Sequence, residues 1–132
     1  MRSLIIIAAI SGFSAVLMGA LGAHFLSPYM AEGGPDLFRT ANLYHLTHSL
    51  ALLGGALLWP HVSNQARRSL NLLKAAAICF VIGLILFSGL IYYVAVAPGF
   101  SLHLLIPVGG LSFMAGWGCL GLAGLSLRKE KR

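Results

Sequence analysis

The sequence predicts an all-α polytopic membrane protein, a four-helix transmembrane bundle with both termini in the cytoplasm. Three observations carry this expectation. The chain has 132 residues, 58% hydrophobic and 9% charged, with a mean hydropathy of +0.88. A soluble domain carries about 25% charged residues, so this chain could not coat a globular surface. Four largely apolar stretches are long enough to cross a bilayer, which takes about 20 residues as helix. The basic residues gather in one connection and in the tail, on one side of those stretches. A soluble enzyme, a disordered chain and a disulfide-stapled miniprotein are excluded. The net charge of +6 does not point to nucleic acid, because no basic stripe interleaves with aromatic residues.

The expected spans are 3–26, 37–59, 70–97 and 104–127, in a single membrane domain. The first is free of charge and too long for the apolar core of a secretory signal, about 7–15 residues, so it is read as a retained span. Ser27-Pro28 and Gly33-Gly34-Pro35 punctuate the first connection, and Asp36 is placed to cap the second helix. Pro60 is its expected stop. Ser69 can cap the third helix, and Pro98-Gly99 closes it. Pro107 suits the first turn of a fourth helix starting near Ile106 but would kink one starting at Ser101.

Orientation follows from the positive-inside rule. Arg2 precedes the first span, the second connection holds Arg67, Arg68 and Lys74, and the tail holds Arg128, Lys129, Lys131 and Arg132. Glu32, Asp36 and Arg39 lie on the opposite side. The expected location is a bacterial plasma (inner) membrane, multi-pass, with both termini cytoplasmic.

Most of the 16 glycines lie inside the spans. Small residues let helices approach closely in lipid, so Gly19, Gly89, Gly109 and Gly110 are expected at helix contacts, with Ala15, Gly19 and Ala23 forming a small face on the first helix. Cys79 and Cys119 read as inert buried thiols rather than a disulfide or redox pair.

The polar residues need partners. At 1.5 Å per residue, His48 lies about 18 Å inside the outer start of its helix and Ser88 about 15 Å inside that of the third, with Tyr92 at a similar depth. A neutral histidine in hydrocarbon needs a hydrogen bond, and Ser88 or Tyr92 could supply it. His24, His48, Ser88 and Tyr92 are the candidate cluster or pocket. No two histidines on different helices clearly share the depth that a bis-histidine haem needs, and His45 and His48 share one helix. No catalytic, cofactor or metal residue is assigned. The spans hold no Asp or Glu in their cores, which argues against a proton-coupled exporter.

Several strings then fall into register. Ala9-Ile10-Ser11-Gly12-Phe13 and Gly19-Ala20-Leu21-Gly22-Ala23-His24 lie on the first helix. Thr40-Ala41, Tyr44 and His48-Ser49-Leu50-Ala51-Leu52-Leu53-Gly54 lie on the second. Leu86-Phe87-Ser88-Gly89 with Tyr92 lie on the third, and Pro107-Val108-Gly109-Gly110-Leu111-Ser112-Phe113 with Ala115-Gly116-Trp117 on the fourth. In this order they resemble the YgdD-like family of small bacterial inner-membrane proteins, which has mitochondrial relatives in eukaryotes. The resemblance covers nearly the whole chain and implies a four-span membrane protein whose family is a domain of unknown function. It marks His24 and His48 as motif positions, and His45 as a position where a relative can carry glutamine. The chain departs from the family pattern at Leu90, where a serine is familiar, and at Ile106, where threonine often precedes the proline.

The expected function is a non-enzymatic structural or accessory subunit acting through helix–helix contacts. The alternative is a small carrier or binding protein for a lipid, quinone or other amphipathic ligand in an outer-leaflet pocket. A haem or quinone redox subunit comes third. The expected partners are the lipid bilayer and other membrane proteins or further copies of the chain, with no nucleic acid and no cofactor.

Overall fold

The computed structural model describes residues 1–63, 67–97, 99 and 101–127. The basic tail and the expected stop at Pro98 lie outside them. Among the described residues four long helices make up the fold: α1 (Arg2–Tyr29), α2 (Gly34–Ser63), α3 (Arg67–Val96) and α4 (Leu105–Leu125). Among the described residues there is no strand. Helices α1, α3 and α4 are each long and apolar enough to cross a membrane. Helix α2 has the length, at 30 residues, but its first half carries Asp36, Arg39, Thr40, Asn42, His45 and His48. Several of these polar groups are turned into the bundle, so α2 is its polar centre rather than a uniformly apolar span.

The helix ends follow local chemistry. Gly33, at φ 74°, turns the chain into α2, a conformation that glycine adopts without steric cost. Pro35 then sits in the first turn, where a missing N–H costs nothing, and Asp36 meets the positive end of the helix dipole. Pro60 does not stop α2. It withholds one N–H, and the helix runs on to Ser63, whose hydroxyl donates to the Pro60 carbonyl at 3.2 Å. Ser69 is not a cap: its side chain is buried in the first turn of α3 and its hydroxyl has no hydrogen-bond partner among the described residues. Pro107 lies in the first turn of α4, which starts at Leu105 after a short 3-10 turn.

One departure decides the site. In α3 the buried positions are Ser69, Leu73, Ala76, Phe80 and Gly83, steps of three and four that keep one face inward. The next buried position is Ser88, five residues on, because Leu84–Gly89 forms a π turn. That extra residue rotates the helix, so Ile91, Tyr92 and Ala95 point inward beyond it. A second π turn, Gly22–Leu26, ends the regular part of α1.

Helix α1 lies chiefly on α2, and α3 chiefly on α4. The α3–α4 contact is the closer. A Cβ added at Gly109 would lie 2.5 Å from the Phe87 backbone nitrogen, and one at Gly116 would lie 2.6 Å from the Phe80 ring. Gly83 receives the Phe113 ring and Gly22 receives Phe38 in the same way. The expected contact at Gly109 is therefore tight. Gly19 is fairly close, with Asn42 Oδ1 at 3.1 Å, while Gly110 has ordinary room at 3.6 Å from Phe87. Gly89 is exposed rather than packed, because the π turn carries it out of the interface. On α1 the buried small face is Ala8, Ala15 and Gly22, and Ala23 faces outward.

Two apolar clusters bracket the middle of the bundle. One contains Leu4, Leu52, Phe80 and Phe113, the other Phe38, Ala41, Ile91 and Ala95. Since the α3–α4 contact leaves no room for a methyl group, Gly109→Ala should destabilise the protein by about 1–3 kcal/mol. Gly118→Ala, with nothing within 4 Å of the new carbon, should melt at or above the wild-type temperature in detergent. Equal melting of the two variants would show that Gly109 does not touch α3.

Candidate functional site

The polar residues of α2 divide into two groups on two faces. His48, 4% exposed, faces α4. Its Nδ1 lies 2.8 Å from the Tyr44 carbonyl, which can only accept, so Nδ1 carries the proton. Its Nε2 accepts the Trp117 indole N–H at 3.2 Å. Nδ1 carries the proton of the neutral ring, and its one available lone pair, on Nε2, is taken by Trp117. Phe113 stacks on the imidazole at 3.6 Å between centroids, and Phe80 lies at 5.6 Å. His48 is a satisfied polar pin in an aromatic cage.

Asn42, His45 and Ser49 lie three and four residues apart, on the face toward α1 and α3. The amide nitrogen of Asn42 donates to the Ala15 carbonyl at 2.7 Å and to the Tyr92 hydroxyl at 3.0 Å. Tyr92 is in reach because of the π turn in α3. His45 Nδ1 is 3.3 Å from that hydroxyl, and its Nε2 is 3.4 Å from Ser14 Oγ. Ser14 already donates its proton to the Ser11 carbonyl at 2.9 Å. Towards His45 it can only accept, so Nε2 carries the ring proton and Nδ1 accepts from Tyr92. Ser49 donates to the His45 carbonyl at 2.7 Å, which leaves Ser11 to donate to Ser49 at 2.6 Å. Every proton in this chain has one direction.

Helices α1 and α3 diverge beside this network and leave a cleft of about 470 Å³. Its walls are Ile7 and Ile10 of α1 and Val81, Leu84 and Ile85 of α3, with Gly89 beside them. Its polar floor is Ser11, Ser14 and His45. A second cavity, of about 420 Å³, lies between α1 and α2 near their first connection, with Ser27, Arg39 and Asn42 in its lining. Asn42 thus borders one cavity and, through Tyr92, is hydrogen-bonded to the histidine that borders the other.

The four candidate residues do not converge. His48 and Tyr92 serve the two separate groups. Ser88 is 1% exposed, but its hydroxyl has no hydrogen-bond partner among the described residues, so it does not hold His48. His24 is exposed at the end of α1, within the π turn there. The candidate cluster left out Ser14, Asn42, His45 and Trp117, while Ser11 is the interhelical hydrogen-bonder that a serine inside a span suggests. The signal available was the 42–45–49 spacing on α2 matched by the 11–14 spacing on α1. Among the described residues, no three His, Cys, Asp or Glu side chains gather as a metal site would require.

A family model described as "Protein of unknown function (DUF423)" matches residues 18–110. The UPF0382 inner membrane protein YgdD of Escherichia coli (strain K12) is 36% identical over 129 residues, 98% of this chain and 94% of its own. A UPF0382 membrane protein of Staphylococcus epidermidis is 31% identical over 125 residues, 95% and 97% of the two chains. The UPF0382 membrane protein YwdK of Bacillus subtilis is 31% identical over 117 residues, 89% and 91% of the two. The chain belongs to the DUF423 (UPF0382) family. It is a helical membrane protein of a family whose name assigns no activity. The matched segment includes Asn42, His45, His48 and Tyr92, while Ser11, Ser14 and Trp117 lie outside it. No solved structure matches the chain.

The two histidines should respond differently to substitution. His48→Leu leaves the half-buried Trp117 N–H and the Tyr44 carbonyl without their side-chain partner, and should lower stability by about 1 kcal/mol or more. His48→Gln offers a carbonyl oxygen in its place and should recover part of that loss. Melting curves in detergent check the order, and a His48→Leu protein as stable as wild type would contradict the pin.

Proposed function

We propose that this protein is a non-enzymatic binding protein of the membrane, which takes a lipid-soluble small molecule into the cleft between α1 and α3. The observation that carries this is the contrast within the cleft. Aliphatic walls open toward the bilayer and lead to a floor of one imidazole and two hydroxyls. Ligand sites are commonly mostly apolar with a few convergent polar groups, and their volumes run from about 300 to 1,000 Å³. Among the described residues, His45 is the cleft's one ionisable group, which favours a neutral ligand. A role without chemistry of its own fits the polar groups, since among the described residues no carboxylate lines the cleft beside Ser11, Ser14 or His45 to orient a base.

A second reading is an accessory subunit that acts through helix–helix contacts with another membrane protein or a further copy. Its support is the outward side of α4, where Gly118, Gly121 and Gly124 have open space around them. In either reading the membrane is a bacterial inner membrane, as the name of the Escherichia coli relative has it for that protein. The basic residues of the second connection support an orientation with both termini in the cytoplasm.

Orientation is checked with reporter fusions. Those after Arg132 and within Asn64–Arg68 should report cytoplasm, and one at Gly33 the opposite side. A periplasmic C-terminus would reverse the assignment. Ligand binding is checked by native mass spectrometry of protein released from membranes in mild detergent. Wild type should retain a lipid-soluble molecule, and Gly89→Phe should lose it. That ring would enter the cleft from a position where a new Cβ meets nothing closer than 3.6 Å. Wild type and Gly89→Phe carrying the same molecule would defeat the binding role.

A further inference from the structure

We infer that the cleft recognises its ligand as a hydrogen-bond acceptor, a neutral carbonyl-headed amphiphile held by the Nε2–H of His45. This rests on the proposed binding role and names the chemistry of the ligand. The argument is an account of protons. Ser14 has given its hydroxyl proton to the Ser11 carbonyl at 2.9 Å, and Ser11 has given its own to Ser49 at 2.6 Å. Ser49 has given its proton to the His45 carbonyl at 2.7 Å. On the far side of the ring, Asn42 uses one amide proton on Ala15 at 2.7 Å and the other on Tyr92 at 3.0 Å.

What remains at the cleft floor is the His45 Nε2–H, whose contact with Ser14 is 3.4 Å and so the longest of the set. N–H···O bonds are usually about 2.7–3.2 Å, so this proton is held loosely. A carbonyl oxygen arriving between the aliphatic walls gives it a better partner without breaking a short bond. The Tyr92 hydroxyl at Nδ1 holds the ring in the tautomer that keeps the proton on Nε2. Tyr92 is therefore a positioning residue. Among the described residues, an anionic head finds no lysine or arginine in the cleft lining, and a cationic head finds no carboxylate. Either would carry an unpaired charge into hydrocarbon.

The test uses the full chain in nanodiscs and three probes of matched tail: a decyl-substituted benzoquinone, decylbenzene and decanoate. Histidine-selective ¹⁵N NMR of the wild type reports the contact directly. The quinone should shift the His45 Nε2–H resonance and leave that of His48 in place, while decylbenzene and decanoate should not shift His45. Two variants separate the ring nitrogens. His45→Gln puts an amide N–H close to where Nε2 stood and should keep quinone binding. His45→Asn reaches only the Nδ1 position, toward Tyr92, and should weaken binding roughly tenfold, the worth of one hydrogen bond. Equal binding of quinone and decylbenzene, with His45→Asn indistinguishable from wild type, would overturn the carbonyl assignment and leave the cleft a site for apolar molecules. Failure of every probe to bind, together with no retained molecule on native mass spectrometry, would overturn the binding role itself.

Discussion

Helix α2 takes an asparagine, two histidines and a serine into the bundle, and the neighbouring helices are arranged so that each of them finds a hydrogen-bond partner. In hydrocarbon an unpaired donor or acceptor costs several kcal/mol, so each must find its partner inside the protein. The carbonyls of Ala15, Tyr44 and His45 each take a second bond from a side chain. Trp117 reaches across from α4 and Tyr92 from α3. The hydrogen bonds run outward from α2 to all three neighbours. That is why the least apolar helix is the one hydrogen-bonded to all three others.

The π turn in α3 follows from the same constraint. An unbroken α-helix continuing the 76–80–83 face would next turn Phe87 inward, and Tyr92 would leave the phase of the buried face. One inserted residue puts Ser88 and Tyr92 inward and Gly89 outward. The hydroxyl of Tyr92 thereby reaches both Asn42 and His45. It is also at this turn that the wall facing α1 lacks a side chain, since Gly89 borders the cleft. Ser88 is left with a buried hydroxyl that has no partner among the described residues. The wide turn offers a physical reason, because it shifts the carbonyls of the preceding turn from their usual places beneath a helical serine.

How much of this could be read beforehand depends on which signal each feature leaves. Hydropathy and charge are sums over many residues, so the helical membrane architecture and the family were legible from the sequence. Close packing was legible at Gly109, which contacts the Phe87 backbone, because a glycine in an apolar helix is costly unless something approaches it. Ser88 is buried as expected but does not reach His48, and Gly89 is exposed rather than packed; an inserted residue in a helix leaves no mark on composition or periodicity, yet it moves every later side chain by about 100°. His48 was judged correctly as needing a partner, but depth counted along separate helices cannot tell Ser88 from Trp117. The floor of the cleft was hidden differently. Ser11, Ser14 and Asn42 are ordinary residues singly, and their meaning lies in a shared face across two helices.

The two histidines one turn apart differ in how completely their hydrogen bonds are made. His48 has a carbonyl at one nitrogen, an indole N–H at the other and Phe113 against its ring. Any ligand there would have to displace a hydrogen bond and an aromatic contact together. His45 is held at 3.3 and 3.4 Å, looser at both nitrogens than His48, and it borders open volume. A group whose bonds are short is complete; a group whose bonds are long, and whose proton faces a cavity, gains by acquiring a partner. The open volume beside His45 is what the proposed binding role rests on, and a shorter hydrogen bond to Nε2 is what a ligand entering it would gain.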